Sequence, residues 1–159
     1  MMIRGIKITK NLGIAFVLFL GFACSQQKGL VDDLQSFTTT LDVHLEAIAK
    51  SNLEQLAPTV SESVIMIGPD GRKYDGKDAF MDLHKNWFAS SNWKWDGRIL
   101  KTESSDSLGF GLVQYKYTEN DSAGHITLES NAYLILVFKN SALGWQLTHD
   151  QNTSIPTIK

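Results

Sequence analysis

The sequence predicts an α+β domain with its helices on one face of an antiparallel sheet. Two observations carry that expectation. The apolar period is helical in the first part of the chain and alternating from about Ser91 to the end. The element order is helix, helix, strand, helix and then a meander of long strands, which suits a layer of helices on a sheet.

Leu34, Phe37, Leu41, Leu45 and Ile48 recur three or four residues apart, so one apolar stripe runs along a helix from about Leu30 to Lys50. Ser51 with Glu54 has the S-x-x-E form of a capping box and predicts a short second helix, NLEQLA, that stops before Pro58. SVIMI, Ser63 to Ile67, reads as a strand, and GPDG, Gly68 to Gly71, as a turn. A third helix is predicted from about Lys77 to Ala89, with Phe80, Leu83, His84, Trp87 and Phe88 on its inner side and Asp78 suited to its positive end. Trp93 and Trp95 alternate in the first long strand. Leu108–Tyr117, His125–Lys139 and Gly144–Gln151 supply three more, separated by ENDSAG and KNSALG.

Within YLILVF both alternating sets are apolar: Tyr133, Ile135 and Val137 on one face, Leu134, Leu136 and Phe138 on the other. Helices cover one face, so the other needs a cover too. A homodimer formed through the sheet is the expected one, and a sheet curled on itself is the alternative.

At the other end, Arg4, Lys7 and Lys10 precede the uncharged run Leu12–Ala23, too short to span a bilayer and suited to a secretory signal. The single cysteine follows at once, and LGFACS resembles a loose bacterial lipoprotein signal. That resemblance implies lipidation at Cys24, a signal peptide of residues 1–23, a polar tether of residues 24–29, and a domain anchored to a membrane of the cell envelope outside the cytoplasm. An ordinary signal with an incidental thiol is the alternative. A lone cysteine has no partner for an internal disulfide. Three of the 15 basic residues would leave with such a signal and none of the 17 acidic ones, so 12 against 17 gives a net charge of −5. No basic stripe is present, and nucleic acid is not an expected partner.

The long first helix, the YDGKDAF opening of the third helix, the meander and the terminal GWQLTHDQNTS together resemble the NTF2-like superfamily, in particular its SnoaL-like and DUF4440-type members. Gly76 with Phe80, and Trp145 with His149, Asp150 and Ser154, carry the resemblance, which extends over residues 30–155. It implies a cone: three N-terminal helices packed on a strongly curved antiparallel sheet, with a pocket at the open end. The superfamily includes ketosteroid isomerase-like and polyketide cyclase enzymes, so fold alone does not settle function.

Strand parity narrows the pocket. Trp145, Leu147, His149 and Gln151 would share one face of the last strand, and Gln146, Thr148, Asp150 and Asn152 the other. With Trp145 and Leu147 against the helices, His149 and Gln151 are expected in the cone as polar contacts to a ligand, and Asp150 is expected outside it. Many relatives carry a second histidine where this chain has Gln151, a departure that favours hydrogen bonding over metal binding. His44, between Leu41 and Leu45, could face the same pocket or be a satisfied core histidine. Trp87, Trp93, Trp95 and Tyr133 read mostly as core or interface, with one or two able to line the pocket, Trp87 and Tyr133 being the ones selected. His84 reads as helix-surface packing and His125 as solvated. The histidines have no metal-ligand spacing, so neither metal nor other cofactor is expected.

An isomerase of this fold would need a carboxylate in an apolar cavity and a donor for an oxyanion. Glu129, which shares a strand face with Asn131 and Tyr133, is the nearest approach to one. The expectation is a lipoprotein whose cone binds a small, largely apolar molecule. A SnoaL or ketosteroid isomerase-like enzyme (isomerase, cyclase or hydrolase) is one alternative, and a non-binding interaction module is another.

Overall fold

The computed structural model describes residues 36–156. The leader, Cys24 and the tether lie outside them, as does the first turn expected of helix one. Among the described residues no helix is long and apolar enough to cross a membrane. Helix α1 (Phe37–Ala49) begins at Ser36, whose Oγ accepts from the Thr39 N–H at 3.1 Å, and it buries Phe37, Leu41, Leu45 and Ile48 as its spacing requires.

The expected capping box is displaced by one residue. Ser51 takes the left-handed conformation (φ 53°) that turns the chain out of α1, so Asn52 becomes the cap of α2 (Leu53–Leu56), its Oδ1 accepting from Gln55 N–H at 3.0 Å. A 3₁₀ turn, Ala57–Thr59, leads into β1 (Val60–Ile67). A short strand β2 (Lys73–Asp75) follows the GPDG turn, and α3 (Lys77–Phe88) follows β2. The meander is β3 (Trp93–Ser104), β4 (Leu108–Asn120), β5 (Ile126–Ser141) and β6 (Gly144–Ser154).

The sheet order is β2-β1-β6-β5-β4-β3. The last strand enters between β1 and the meander, and it pairs with β1 in parallel. The sheet is therefore mixed, not purely antiparallel. A helical crossover separates β1 from the meander, and such a connection permits parallel pairing where a hairpin does not.

The three helices lie on the concave face. Cross-strand partners share that face: Gly109 opposite Phe138, Gly111 opposite Leu136, Val113 opposite Leu134 and Tyr115 opposite Ala132. Phe37 lies directly over Gly109, where a Cβ would come within 2.2 Å of its ring, and the same ring meets Phe138 edge-on at 5.8 Å and Trp145 at 5.5 Å. Gly109→Ala should thus push α1 off the sheet and cost about 1–3 kcal/mol, measurable by urea unfolding. An unchanged midpoint would mean that Phe37 does not hold the helix down.

On the convex face Ile65, Ile67, Phe110, Leu112, Ile135 and Val137 are half-buried, and Tyr133 is 40% exposed. Curling of the sheet covers this apolar surface in part only.

Candidate functional site

The open end of the cone holds a cavity of about 220 Å³. Ile48 of α1 and Leu83, His84 and Trp87 of α3 close one side, while Trp95, Tyr115, Tyr117, Leu134, Asp150 and Asn152 come from the concave sheet face. The aromatic wall is continuous. Trp95 stacks on Tyr115 (ring centroids 5.6 Å apart, planes 29° apart), and Trp87 meets Tyr117 edge-on at 5.9 Å. Gly97, two residues along on the same face, makes room for Trp95: a Cβ there would lie 2.1 Å from the indole. Trp87 in turn stacks on Trp93 at 4.5 Å, and its carbonyl accepts from the Trp93 indole N–H at 3.0 Å.

The polar edge comes from β6, but not from the residues that simple alternation selects. Phe138 stands opposite Leu147, Val137 opposite His149, and Leu136 opposite Asp150. One extra residue, Thr148, is accommodated as a β-bulge between Leu147 and His149, and its hydroxyl donates to the Val137 carbonyl at 3.1 Å. A single inserted residue exchanges the faces of everything beyond it. Trp145 and Leu147 face inward as expected, but so do Asp150 (3% exposed) and Asn152. His149 and Gln151 turn to the convex side beside Val137 and Ile135. The expected inward placement of His149 and Gln151, and the outward placement of Asp150, are corrected accordingly.

Two further candidates lie elsewhere. Tyr133 is on the convex face, because its neighbour Leu134 pairs with Val113 and Asn152 on the concave one. His44 is wholly buried below the cavity and does not line it. Thr59 Oγ gives its proton to the Leu56 carbonyl at 2.6 Å, so it accepts from His44 Nδ1 at 2.8 Å. His44 Nε2 has no hydrogen-bond partner. Burial, and secondarily the His84 charge, lowers its pKa to about 3.

His84, expected as surface packing, is buried and lines the cavity, stacked on Phe80 at 4.1 Å. Its Nδ1 lies 2.8 Å from the Phe80 carbonyl, which can only accept, so Nδ1 carries the proton and Nε2 of the neutral ring is an acceptor. Burial lowers its pKa to about 4 against the opposing pull of that carbonyl. Glu129 is exposed and paired with Lys116 at 2.9 Å, far from a buried base in character. His125 is on the surface beside Asp121.

Asn152 organises the polar edge. Its Oδ1 accepts from Tyr115 O–H at 2.9 Å, and its Nδ2 donates to Asp150 Oδ1 at 2.9 Å and to the Ile67 carbonyl at 3.2 Å. Asp150 Oδ2 has no hydrogen-bond partner among the described residues. Burial pushes Asp150 up to about 8, and the Asn152 bond only partly opposes that. Burial, with the Asp150 charge second, holds Tyr115 up at about 12. A carboxyl group that titrates near neutral pH inside an aromatic cavity can hold or release a proton there. Among the described residues no group of three or more His, Cys, Asp and Glu could hold a metal ion.

Trp95, Tyr115 and Tyr117 were legible as alternating strand residues; nothing in the sequence marked which face they shared with Asp150, because Thr148 hides the change of parity.

Three helices on a curved, mixed six-stranded sheet with a cavity at the open end define an NTF2-like, cystatin-like fold. The SnoaL-like domain model matches residues 38–157, and the chain belongs to that family. Its structure is similar to a ketosteroid isomerase-like protein from Erwinia carotovora atroseptica (TM-score 0.64, 18% identity, 79% of this chain and 98% of that one). It is also similar to a domain of unknown function with a cystatin-like fold from Nostoc punctiforme (TM-score 0.65, 18% identity, 80% of each chain). A third similar structure is an NTF2-like protein of unknown function from Shewanella oneidensis (TM-score 0.59, 14% identity, 77% of this chain and 97% of that one). Among curated proteins, none matches this sequence.

Proposed function

We propose that the cone binds a small, largely apolar molecule between the aromatic wall and the polar edge formed by Asp150, Asn152 and His84. The carrying observation is a cavity of about 220 Å³ whose lining is mostly apolar and aromatic yet holds the Asp150 carboxyl group. Concave apolar sites with a few converging polar groups are the usual form of a small-molecule site. Two further parts of this reading rest on sequence and surface: a lipid anchor at Cys24 that holds the domain at the cell envelope, and a homodimer formed through the apolar convex face. The convex face lies on the opposite side of the sheet from the cone, so a dimer formed there does not compete with it.

Native mass spectrometry of the chain purified from its source envelope tests the binding. The expected spectrum shows a small-molecule adduct that is lost in Trp95→Ala and retained in His149→Ala and Gln151→Ala, whose side chains face away. A bare mass, unchanged after incubation with envelope extract, would exclude the binding reading.

One observation favours a second reading, an isomerase or cyclase of SnoaL or ketosteroid isomerase-like type. Asp150, at about 8, is poised to exchange a proton with a bound substrate near neutral pH. The similar structure from Erwinia carries a ketosteroid isomerase-like description. For an enzyme, Asp150→Asn should abolish turnover while keeping ligand affinity within a few-fold; for a binder it should change affinity alone.

A further inference from the structure

The donors and acceptors around the cavity are unequally spent. Tyr115 gives its O–H to Asn152 and Tyr117 gives its own to Glu119 at 2.6 Å. Both N–H groups of Asn152 are engaged, by Asp150 and by the Ile67 carbonyl, and the Nδ1–H of His84 is held by Phe80. What remains toward the cavity is the lone pairs of Asp150 Oδ2 and His84 Nε2 and, as neutral donors, the Trp95 indole N–H and the Ser130 hydroxyl, none of which is hydrogen-bonded among the described residues. No lysine or arginine lines it, and Asp150 forms no ion pair among the described residues. The walls have the same polarity, since aromatic rings present electron-rich faces.

A cavity lined by no cationic side chain, walled by Trp87, Trp95, Tyr115 and Tyr117 and holding a carboxyl group without an ion-pair partner, is complementary to positive charge. A neutral acceptor ligand such as a ketone would leave the carboxylate and the aromatic faces unused, and an anion would meet no cationic side chain. We propose that the ligand is a small organic monocation, an ammonium carrying apolar or aromatic substituents, that lies against the aromatic wall with Asp150 as its counter-ion. This rests on the reading of the cone as a small-molecule site and names the class of molecule it takes. The charge on the ligand stabilises the carboxylate, so any proton Asp150 carries is released to solvent as the cation enters. An apolar body and a single charge also suit a cavity of about 220 Å³.

Benzyltrimethylammonium and its uncharged isostere neopentylbenzene make the test, because they differ in charge and hardly in shape. Each is titrated into the full chain in mild detergent at about pH 8.5, with tryptophan fluorescence reporting on Trp87 and Trp95 and native mass spectrometry counting bound molecules. The expected result is saturable binding of the cation, tighter than the hydrocarbon by about tenfold or more. Asp150→Asn should narrow that gap by weakening the cation alone. The comparison on the unaltered chain needs no variant, so a variant that fails to fold leaves the test intact. Equal or tighter binding of neopentylbenzene would overturn the monocation and leave the small-molecule reading standing. Binding of neither probe would overturn both.

Discussion

The free energy of unfolding is expected to be greatest near about pH 6.5 and to fall on both sides, with different residues responsible for each limb. Above that pH the buried acid dominates. Asp150 titrates at about 8 in the folded chain and near 3.9 when unfolded, so between those values the native state holds a proton that the unfolded state has lost. Its contribution is fully present below the unfolded value and is lost as pH rises, by about 1.4 kcal/mol per pH unit. From pH 6.5 to 8 the decline should reach about 2 kcal/mol and then level off.

Below pH 6.5 the histidines take over. His44 and His84 are neutral in the fold down to about 3 and about 4, while the unfolded chain protonates them near 6.5, so their stabilisation is lost as pH falls. Two histidines lose stability together while Asp150 regains it, leaving a net slope of about 1.4 kcal/mol per pH unit down to about pH 4. Asp150→Asn separates the limbs. It should remove the decline above pH 6.5 and double the slope below it, measured by urea unfolding across the pH series. A wild-type curve that stays flat from 6.5 to 8.5 would mean that Asp150 is solvated and not a buried acid.

The helical half of the fold was legible because its signal is periodic and redundant. Leu41, Leu45 and Ile48 all report the same face of α1, so no single residue decides the reading. The four long strands were legible for the same reason. Local signals carried by one or two residues were less secure. Ser51 and Asn52 are both good caps, and which of them serves depends on how α1 ends, a tertiary matter. The parallel pairing of β1 with β6 depends on contacts between residues some 85 positions apart, as between Ile67 and Asn152, for which local pattern has no record.

The site failed at one residue. After Leu147 every position as far as Ser154 is polar, so hydrophobic alternation stops reporting the face at the place where Thr148 reverses it. A polar pair inside the cone therefore read as lying on its outer face. His84 was assigned to the inner side of its helix, but its burial reflects the ring of Phe80 beneath it and the depth of the cone, neither of which is local. Local rules and the native structure part company at Asp150, which breaks the simplest of them by burying an acid with no ion-pair partner.

Asn152→Asp should be the most damaging isosteric change in the domain. The native amide has one orientation that works: Oδ1 toward Tyr115 O–H, and Nδ2 toward two oxygens, of Asp150 and of the Ile67 carbonyl. A carboxylate keeps the Tyr115 bond and converts the other two into oxygen–oxygen contacts, one of them with a second acid about 3 Å away. Two carboxylates that close cannot both ionise, so the variant must retain a proton between them as pH rises. At pH 5 that proton restores a bond to Asp150, and the loss should be about 1–2 kcal/mol for the unsatisfied Ile67 carbonyl. At pH 8 the unfolded chain ionises both groups freely while the fold cannot, and the loss should grow to about 3 kcal/mol or more. Equal losses at the two pH values would show that the two side chains do not share a proton. Because Tyr115 and Asp150 both depend on Asn152, the same variant should also disorganise the polar edge of the cavity, so that ligand affinity falls in step with stability.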